Sequence, residues 1–588
     1  MSAAEEYAAR LAARRARVAH FERIHIRLGN LRLLLALVMA AMAWLAIWRH
    51  AFSWLWLLPP LAVFFAIAVY HSRVLEAKVH AERAVAVYHH GLARIADRWA
   101  GLGSNGDRFH DPHHVYAADL DLFGRGGLFQ LLSLARTRMG EDALADWLLV
   151  PAPVMEIPGR QAAIAELRDR LDLREDLAVL GEGVEAGVHP EPLVRWAEAP
   201  NLLGRQWMRL VAPLLATCAG GAAFYWGWSG HATPLLLVLI VEALLARPVR
   251  RHREEILHGA EHQFEDIDLL SAMLARLERE QFQSPRLRQT MQRLSSHHLP
   301  GSRAIARLRT IVDCIMSRDN VFVRVLDLPM LYSVQVAYAA EAWRREHGAA
   351  VRQWLSATGE IEALLSLAAY SYEHPADPFP EFVAGPACFS AEGLGHPLLP
   401  AAKCVRNHVD VCHAQVLLVS GSNMSGKSTL LRAVGINTVL AMAGAPVRAR
   451  KLCLSPLRVG ASIRVNDSLQ EGSSRFYAEI TRLRRLFDLA QGEPPLLALL
   501  DELLQGTNSR DRKIGAEGVV HALVKRAAIG LISTHDLALT EIAGEPIRNV
   551  HFEDEFREGK ITFDYKLREG VVSKSNGLEL MRSIGLEV

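Results

Sequence analysis

The stretch VLLVSGSNMSGKSTLLRAVG, residues 416–435, constrains the fold more than any other part of the chain. A short apolar run leads into a loop of Gly, Ser and Asn, and a helical pattern follows at once. Gly421 and Gly426 frame the loop, and Lys427 and Ser428 close it, fitting G-x-x-x-x-G-K-[ST]. Such a loop has to join a buried strand to a helix N-terminus, because only there do its backbone N–H groups turn inward together on an anion.

The anion this pattern suits is a nucleoside triphosphate. Gly421, Ser422, Asn423, Met424, Ser425, Gly426, Lys427, Ser428 and Thr429 are the candidate cradle for ATP. Lys427 is placed to reach the β and γ phosphates and Ser428 to bind Mg²⁺. A second apolar run, LLALLDE (496–502), ends in two acids. Asp501 would complete the Mg²⁺ shell and Glu502 would polarise the attacking water. A third, LISTHD (531–536), brings Thr534 and His535 to a strand end, where an imidazole can sense the γ-phosphate. Singly these are a Gly/Ser loop, an exposed acidic pair and a structural histidine. In this order and context they predict an ATP hydrolase with Lys427, Glu502 and His535 in catalytic roles.

Around these motifs short apolar runs alternate with helical patterns, the βα rhythm of a parallel sheet. The change of texture at YEHPADPFPEF (372–382) sets a boundary, so the α/β domain is expected over 383–588. Before it the chain reads as helical, in two parts, 75–205 and 250–372, with apolar residues recurring at three and four.

Hydrophobic residues make up 51% of the 588, a surplus gathered into four runs. They form two hairpins, 31–70 and 210–246, each near the length that spans a bilayer twice. The run after Ala232 is short and carries Glu242. Residues 1–32 hold seven arginines, and Arg247, Arg250, Arg251 and Arg253 follow the second hairpin, whereas the hairpin tips carry only Arg49. Positive-inside logic then predicts a multi-pass protein of a bacterial-type inner membrane, with a basic arm (1–30), both termini and all soluble parts in the cytoplasm. The bland reading is a pair of buried helical hairpins. Arginine clusters such as RRAR (14–17) read as membrane-flanking charge rather than DNA contacts. Lys+Arg and Asp+Glu nearly balance, 66 against 64, which neither requires nor excludes nucleic acid. The six cysteines show no CxxC spacing, and most are expected as buried thiols in a reducing compartment. The histidine-rich DRFHDPHHVYAADLD (107–121) lacks a ligand spacing and reads as a loop entering the core.

The ordered set NMSGKSTLLR, GSSRFYAEI (472–480), LLDELLQGTNS, STHD and VVSKSNGL (571–578) resembles the ATPase domain of the MutS mismatch-repair family. DLDLFGRGGLFQLLSLARTRMGEDALADWLLVP (119–151) is similar to the start of that family's helical core, and EALLSLAAYS (362–371) to its close. The resemblance implies an ABC-type α/β ATPase domain with a mostly parallel sheet, preceded by an all-α core and lever. It implies ATP and Mg²⁺ as cofactors, DNA as a partner and a homodimer with shared sites. Ser474 falls where the family touches the partner subunit's γ-phosphate, although Ser474 also suits a helix N-cap. Asn423 falls at the family's P-loop asparagine, His551 where a histidine packs near the adenine, and Val405 on the opposite side of the base.

Departures from the family temper the expectation of mismatch recognition. The basic arm and first hairpin occupy residues 1–74, where the family's wedge domain with its Phe-x-Glu triplet would stand. The triplets at Phe379–Glu381 and Phe556–Glu558 read as chance. The second hairpin stands where the family inserts its DNA clamp, and the chain ends at Val588 without the family's interlocking helices. The expectation is therefore a membrane-anchored MutS-like ATPase that drives a helical lever and binds DNA. The alternative is an ATP-switched membrane scaffold with a protein partner. An ABC transporter half is disfavoured, since LSGGQ is absent.

Overall fold

The computed structural model describes residues 2–181, 190–204, 207–261, 264–296, 299–412, 415–422, 424–464, 475–505, 507–542, 544–557 and 560–572.

Two long helices open the chain. Helix α1 (Ala3–Trp48) starts at a capping box, where the Ser2 hydroxyl accepts from Glu5 N–H and the Glu5 carboxylate accepts from Ser2 N–H. Helix α2 (Leu58–Ile95) takes Pro59 and Pro60 in its first turn, where the missing N–H groups cost nothing. The pairs Tyr7–Tyr88, Glu22–Lys78 and His25–His71 run in opposite order along the two helices, so they pack antiparallel. No break occurs near residue 30: the basic arm and the first apolar run are one helix. Its first turns dock on the helical core. Tyr7 donates to Glu373 at 3.2 Å, Arg94 grips the same carboxylate at 2.6 and 2.9 Å, and Arg14 grips Glu175 at 2.6 and 3.0 Å. At the far end Leu33, Leu37, Trp48, Trp54 and Trp56 are exposed.

A second apolar pair, α3 (Met208–Ser229) and α4 (Thr233–Ala246), interrupts the helical region. Among the described residues, α1, α2 (with the short turn before it) and α3 are long and apolar enough to cross a membrane. Helix α4 has 14 residues and is about 21 Å long, shorter than a hydrocarbon core of about 30 Å. Its buried residue is Glu242. A ten-residue helix, α5 (Val321–Met330), turns by 81° into α6 (Tyr332–Glu373), which runs for 42 residues through the helical core. Glycines let neighbours approach α6 closely: a Cβ on Gly348 would lie 2.2 Å from Ala197 O, and one on Gly359 would lie 2.5 Å from Met139 O.

The C-terminal part holds two sheets. Strands β1 (Glu381–Phe382), β2 (Phe389–Leu394), β3 (Asn407–Asp410) and β5 (Lys451–Leu454) form a small sheet in the order β1-β5-β2-β3. Strands β4 (Val416–Ser420), β6 (Arg458–Ser462), β7 (Leu496–Asp501), β8 (Ile529–Thr534), β9 (Ile547–Arg557) and β10 (Lys560–Glu569) form a six-stranded sheet in the order β10-β9-β4-β8-β7-β6. All neighbours in it are parallel except β9 and β10. The central strands are apolar without alternation because both faces are covered. Helix α7 (Lys427–Ala443) follows β4 and is buried almost throughout. Helix α8 (Arg475–Leu489) precedes β7.

Cys218, Cys314, Cys404 and Cys453 are free thiols, exposed or half-buried, while two cysteines depart from the expectation of thiols. Cys388 and Cys412 form a disulfide, brought together because Val411 N–H donates to Phe389 O at 2.9 Å and pairs the strand ends beside them. Their separation of 24 residues carries no local signal.

Candidate nucleotide site

Strand β4 ends at Ser420 and hands the chain to the glycine loop. Gly421 and Gly426 have φ of 149° and 105°, conformations that a side chain would strain. A Cβ on Gly421 would lie 2.9 Å from Ser425 Oγ, and one on Gly426 would lie 3.2 Å from the Tyr565 ring. The loop therefore packs tightly against its own Ser425 side chain and against Phe552 and Tyr565 of the neighbouring strands. The Lys427 ammonium folds back and donates to Gly421 O at 2.8 Å and Ser422 O at 2.7 Å. Burial lowers its pKa, opposed by the charges of Glu502 and Asp501. The hydroxyls of Ser422 and Ser425 are buried with no hydrogen-bond partner among the described residues. Orphaned donors beside a buried ammonium, in a cradle that tolerates no Cβ, fit a polyphosphate.

The acids arrive from the neighbouring strands. Asp501 ends β7, paired in register with Ser533 of β8, whose hydroxyl donates to the Asp501 carboxylate. Glu502 follows in a left-handed conformation, φ 53°, with its N–H held 3.2 Å from Ser533 O. The Gln505 side chain donates to one Glu502 oxygen, and His535 Nδ1 lies 3.6 Å from the other. Glu502 lines both the nucleotide cavity and a narrower cleft that holds His535, Arg512 and Lys513.

The cavity has a volume of about 920 Å³. Met424, Gly426, Lys427, Ser428 and Thr429 form its floor, and Leu394, His396, Val405, Phe552 and Tyr565 form its walls. His396 accepts from Leu398 N–H at 3.2 Å through Nδ1. Burial, helped by the Arg432 charge, holds its pKa down to about 4, so it presents a neutral ring. Val405 stands in the wall. His551 does not. Successive residues of a strand face opposite ways, and on β9 it is Phe552 that meets the cavity. His551 is buried behind it, with Nδ1 3.0 Å from Gly570 O. A ring that lines the cavity beside Gly426 is that of Tyr565 of β10, which the sequence reasoning missed. Its only sequence signal is the alternation of KITFDYKL. Asn423 and Ser474 lie outside the described residues.

The histidine-rich segment enters the core, and it carries a second residue that the reading missed. Asp119 is fully buried and accepts from Ile463 N–H at 2.8 Å, Arg464 N–H at 2.7 Å and the Arg482 guanidinium. It therefore ties the helical region to β6 and α8, the elements flanking the segment that contains Ser474. Phe379, of the first Phe-x-Glu triplet, packs on the hydrophobic core.

A strand-borne glycine loop with a buried lysine, an acidic pair at the end of a parallel strand and a histidine on the adjacent strand together define a P-loop nucleotide-binding protein. Residues 417–587 match the family described as MutS domain V, and this part of the chain is similar to MutS-family proteins. It is 32% identical over 263 residues to the DNA mismatch repair protein MSH6 of Arabidopsis thaliana, covering 41% of this chain and 20% of that protein. It is 33% identical over 202 residues to the DNA mismatch repair protein MutS of Natronomonas pharaonis, covering 33% and 23%. It is 34% identical over 195 residues to the Endonuclease MutS2 of Thermus thermophilus, covering 32% and 25%. The chain thus aligns with about a fifth to a quarter of the length of these curated relatives.

Proposed function

We propose that this protein is a membrane-anchored ATPase of the MutS family that acts on DNA as a homodimer. The observation that carries the reading is the convergence of Lys427, Ser428, Thr429 and Glu502 on one cavity, with Asp501 and His535 adjoining Glu502. ATP fits the cradle, and Mg²⁺ fits the oxygen donors Ser428 and Asp501. When bound, Mg²⁺ neutralises charge on the β and γ phosphates. Lys427 exchanges its two carbonyl partners for phosphate oxygens. Glu502 orients the attacking water, and His535 holds Glu502 and senses the γ-phosphate. Ser474 of each subunit reaches the other subunit's nucleotide. Asp119 passes the state of the site into the helical core.

Anchoring at a bacterial-type inner membrane rests on the exposed apolar ends of α1, α2 and α3 and on the arginines that flank them. Action on DNA rests on the names of the relatives. The test is the ATPase rate of the detergent-purified full chain, alone and with homoduplex, mismatched or branched DNA, over a salt series. Stimulation by DNA that fades as salt rises is expected. A Mg²⁺-dependent rate indifferent to every DNA would replace this reading with an ATP-switched membrane scaffold. Normal hydrolysis by Lys427→Ala would overturn the assignment of the site itself.

A further inference from the structure

Helix α5 sits at the corner between the apolar hairpin α3–α4 and the long helix α6, packed against all three. Its sequence is VFVRVLDLPM, and its outer face is bare: Val321 is 73% exposed, Phe322 79% and Val325 72%. Leu326, Leu328 and Met330 are exposed as well. Half-buried Val323 and Asp327, four residues apart, mark the face turned to protein. So many large apolar side chains on ten residues amount to a surface patch that water does not favour.

We infer that α5 lies in the plane of the membrane as an interfacial helix, its bare face in the lipid and its arginines among anionic headgroups. The inference rests on the membrane reading above and adds to it a lipid contact outside both hairpins. Ten residues span about 15 Å, half of a hydrocarbon core, so α5 cannot cross by itself. Nor can it cross as the start of α6, because Ser333, Val334, Val336 and Ala337 in the first turns of α6 are buried in protein. The corner is held. Leu331 takes the left-handed conformation at φ 46°, and Asp327 accepts from Ser333 N–H at 2.7 Å. A lipid occupant is favoured over a protein one by two features. The hairpin that α5 packs against is itself exposed at Leu210, Leu214, Leu236 and Leu237. Cationic side chains also accompany it: exposed Arg324 within the helix and Arg318 just before it. Apolar residues with flanking arginines are the composition of a helix that binds an anionic leaflet. Because α6 starts at this corner and ends at Glu373 beside the ATPase domain, the lipid surface would be joined by one rigid helix to the nucleotide motor.

The test uses the full chain, with Cys218, Cys314, Cys404 and Cys453 replaced by serine. It is reconstituted in nanodiscs of phosphatidylcholine and phosphatidylglycerol. Spin labels are placed singly at Phe322→Cys, Val325→Cys, Leu237→Cys on α4 and Arg484→Cys on α8. Collision with oxygen is compared with collision with a water-soluble nickel chelate. Labels at 322, 325 and 237 are expected to favour oxygen several-fold relative to the label at 484. Omitting phosphatidylglycerol is expected to shift only 322 and 325 toward nickel. Oxygen preference at 237 with nickel preference at 322 and 325 would overturn the inference and leave the hairpin in place. Nickel preference at 237 would overturn the membrane reading and the inference together. Shielding of 322 and 325 from both reagents would mean that protein, a second copy or a partner, covers α5, and would also overturn it.

Discussion

His535 Nδ1 lies 3.6 Å from Glu502 Oε1, which links the ends of adjacent strands β8 and β7 at the edge of the nucleotide cavity. The carboxylate is already held on its other oxygen by Gln505, so the pair fixes one orientation of Glu502. Glu502→Gln keeps the size and the Gln505 contact but loses the negative charge that polarises water. It is expected to bind ATP normally and to lose at least about 10²-fold in turnover, within the range for a positioned general base. His535→Ala is expected to lower turnover less, with nucleotide affinity unchanged. Single-turnover hydrolysis and equilibrium binding of a fluorescent ATP analogue separate the two effects. A Glu502→Gln protein with wild-type turnover would remove Glu502 from the mechanism.

Tyr565 lines the nucleotide cavity, whereas His551, which the resemblance sets near the adenine, is not among its lining residues. Tyr565 faces the cavity from β10, and His551 is packed behind β9 against Gly570 O. Tyr565→Ala is expected to weaken ATP binding by about tenfold, the cost of losing one aromatic stacking partner of about 1.4 kcal/mol. His551→Ala is expected to lower the melting temperature and leave affinity nearly unchanged. Calorimetric titration with a non-hydrolysable ATP analogue, alongside a thermal melt, checks both. The opposite pattern would return the base contact to His551.

Asp119 is a buried carboxylate whose partners all belong to the ATPase domain: two amides at the end of β6 and the Arg482 guanidinium of α8. Removing one member of such a buried set leaves the others unpaired, at about 3–5 kcal/mol. Asp119→Ala is expected to show that loss. Asp119→Asn, which still accepts from the amides, is expected to show less. Hydrogen exchange gives the sharper readout. Amides of residues 458–464 are expected to lose protection in Asp119→Ala while those of β4 and β8 keep theirs. Uniform deprotection would mean that Asp119 serves only global stability.

The features legible in the sequence are those built from contiguous residues. The glycine loop, the buried strands at 416–420, 496–501 and 529–534, and the acidic pair were all readable, because a parallel strand covered on both faces is an unbroken apolar run. What escaped depends on pairing at a distance. The position of Tyr565 follows from the antiparallel register of β10 on β9, where His551 meets Arg568. Asp119 meets Arg464 across 345 residues. Cys388 finds Cys412 through a strand ladder rather than a spacing. Helix α5 escaped for another reason. Ten apolar-rich residues inside a helical stretch look like core, and only the 81° corner at Leu331 turns them outward.

Glu362 offers a test of the helical core through pH. It lies fully within α6 and caps the start of the helix Arg138–Leu149: its carboxylate accepts from Arg136 N–H at 2.9 Å and from the Thr137 hydroxyl. Burial raises its pKa from the usual 4.5 to about 7, and the hydrogen bonds only partly oppose this. The folded state therefore binds a proton over a range where the unfolded state has released it. The stabilisation is complete below about pH 4.5, declines as pH rises through 7 and is absent above. A rise of that size corresponds to about 3 kcal/mol. Glu362→Gln keeps an acceptor for Arg136 and a partner for Thr137 but does not ionise. It is expected to match the wild type near pH 5 and to exceed it at pH 8. Thermal melts of the detergent-purified chains at the two values measure this, and only the difference between variant and wild type is read, since other carboxylates titrate in both. Equal differences at both pH values would mean that Glu362 stays ionised in the fold, with its charge compensated by the Arg136 and Thr137 contacts.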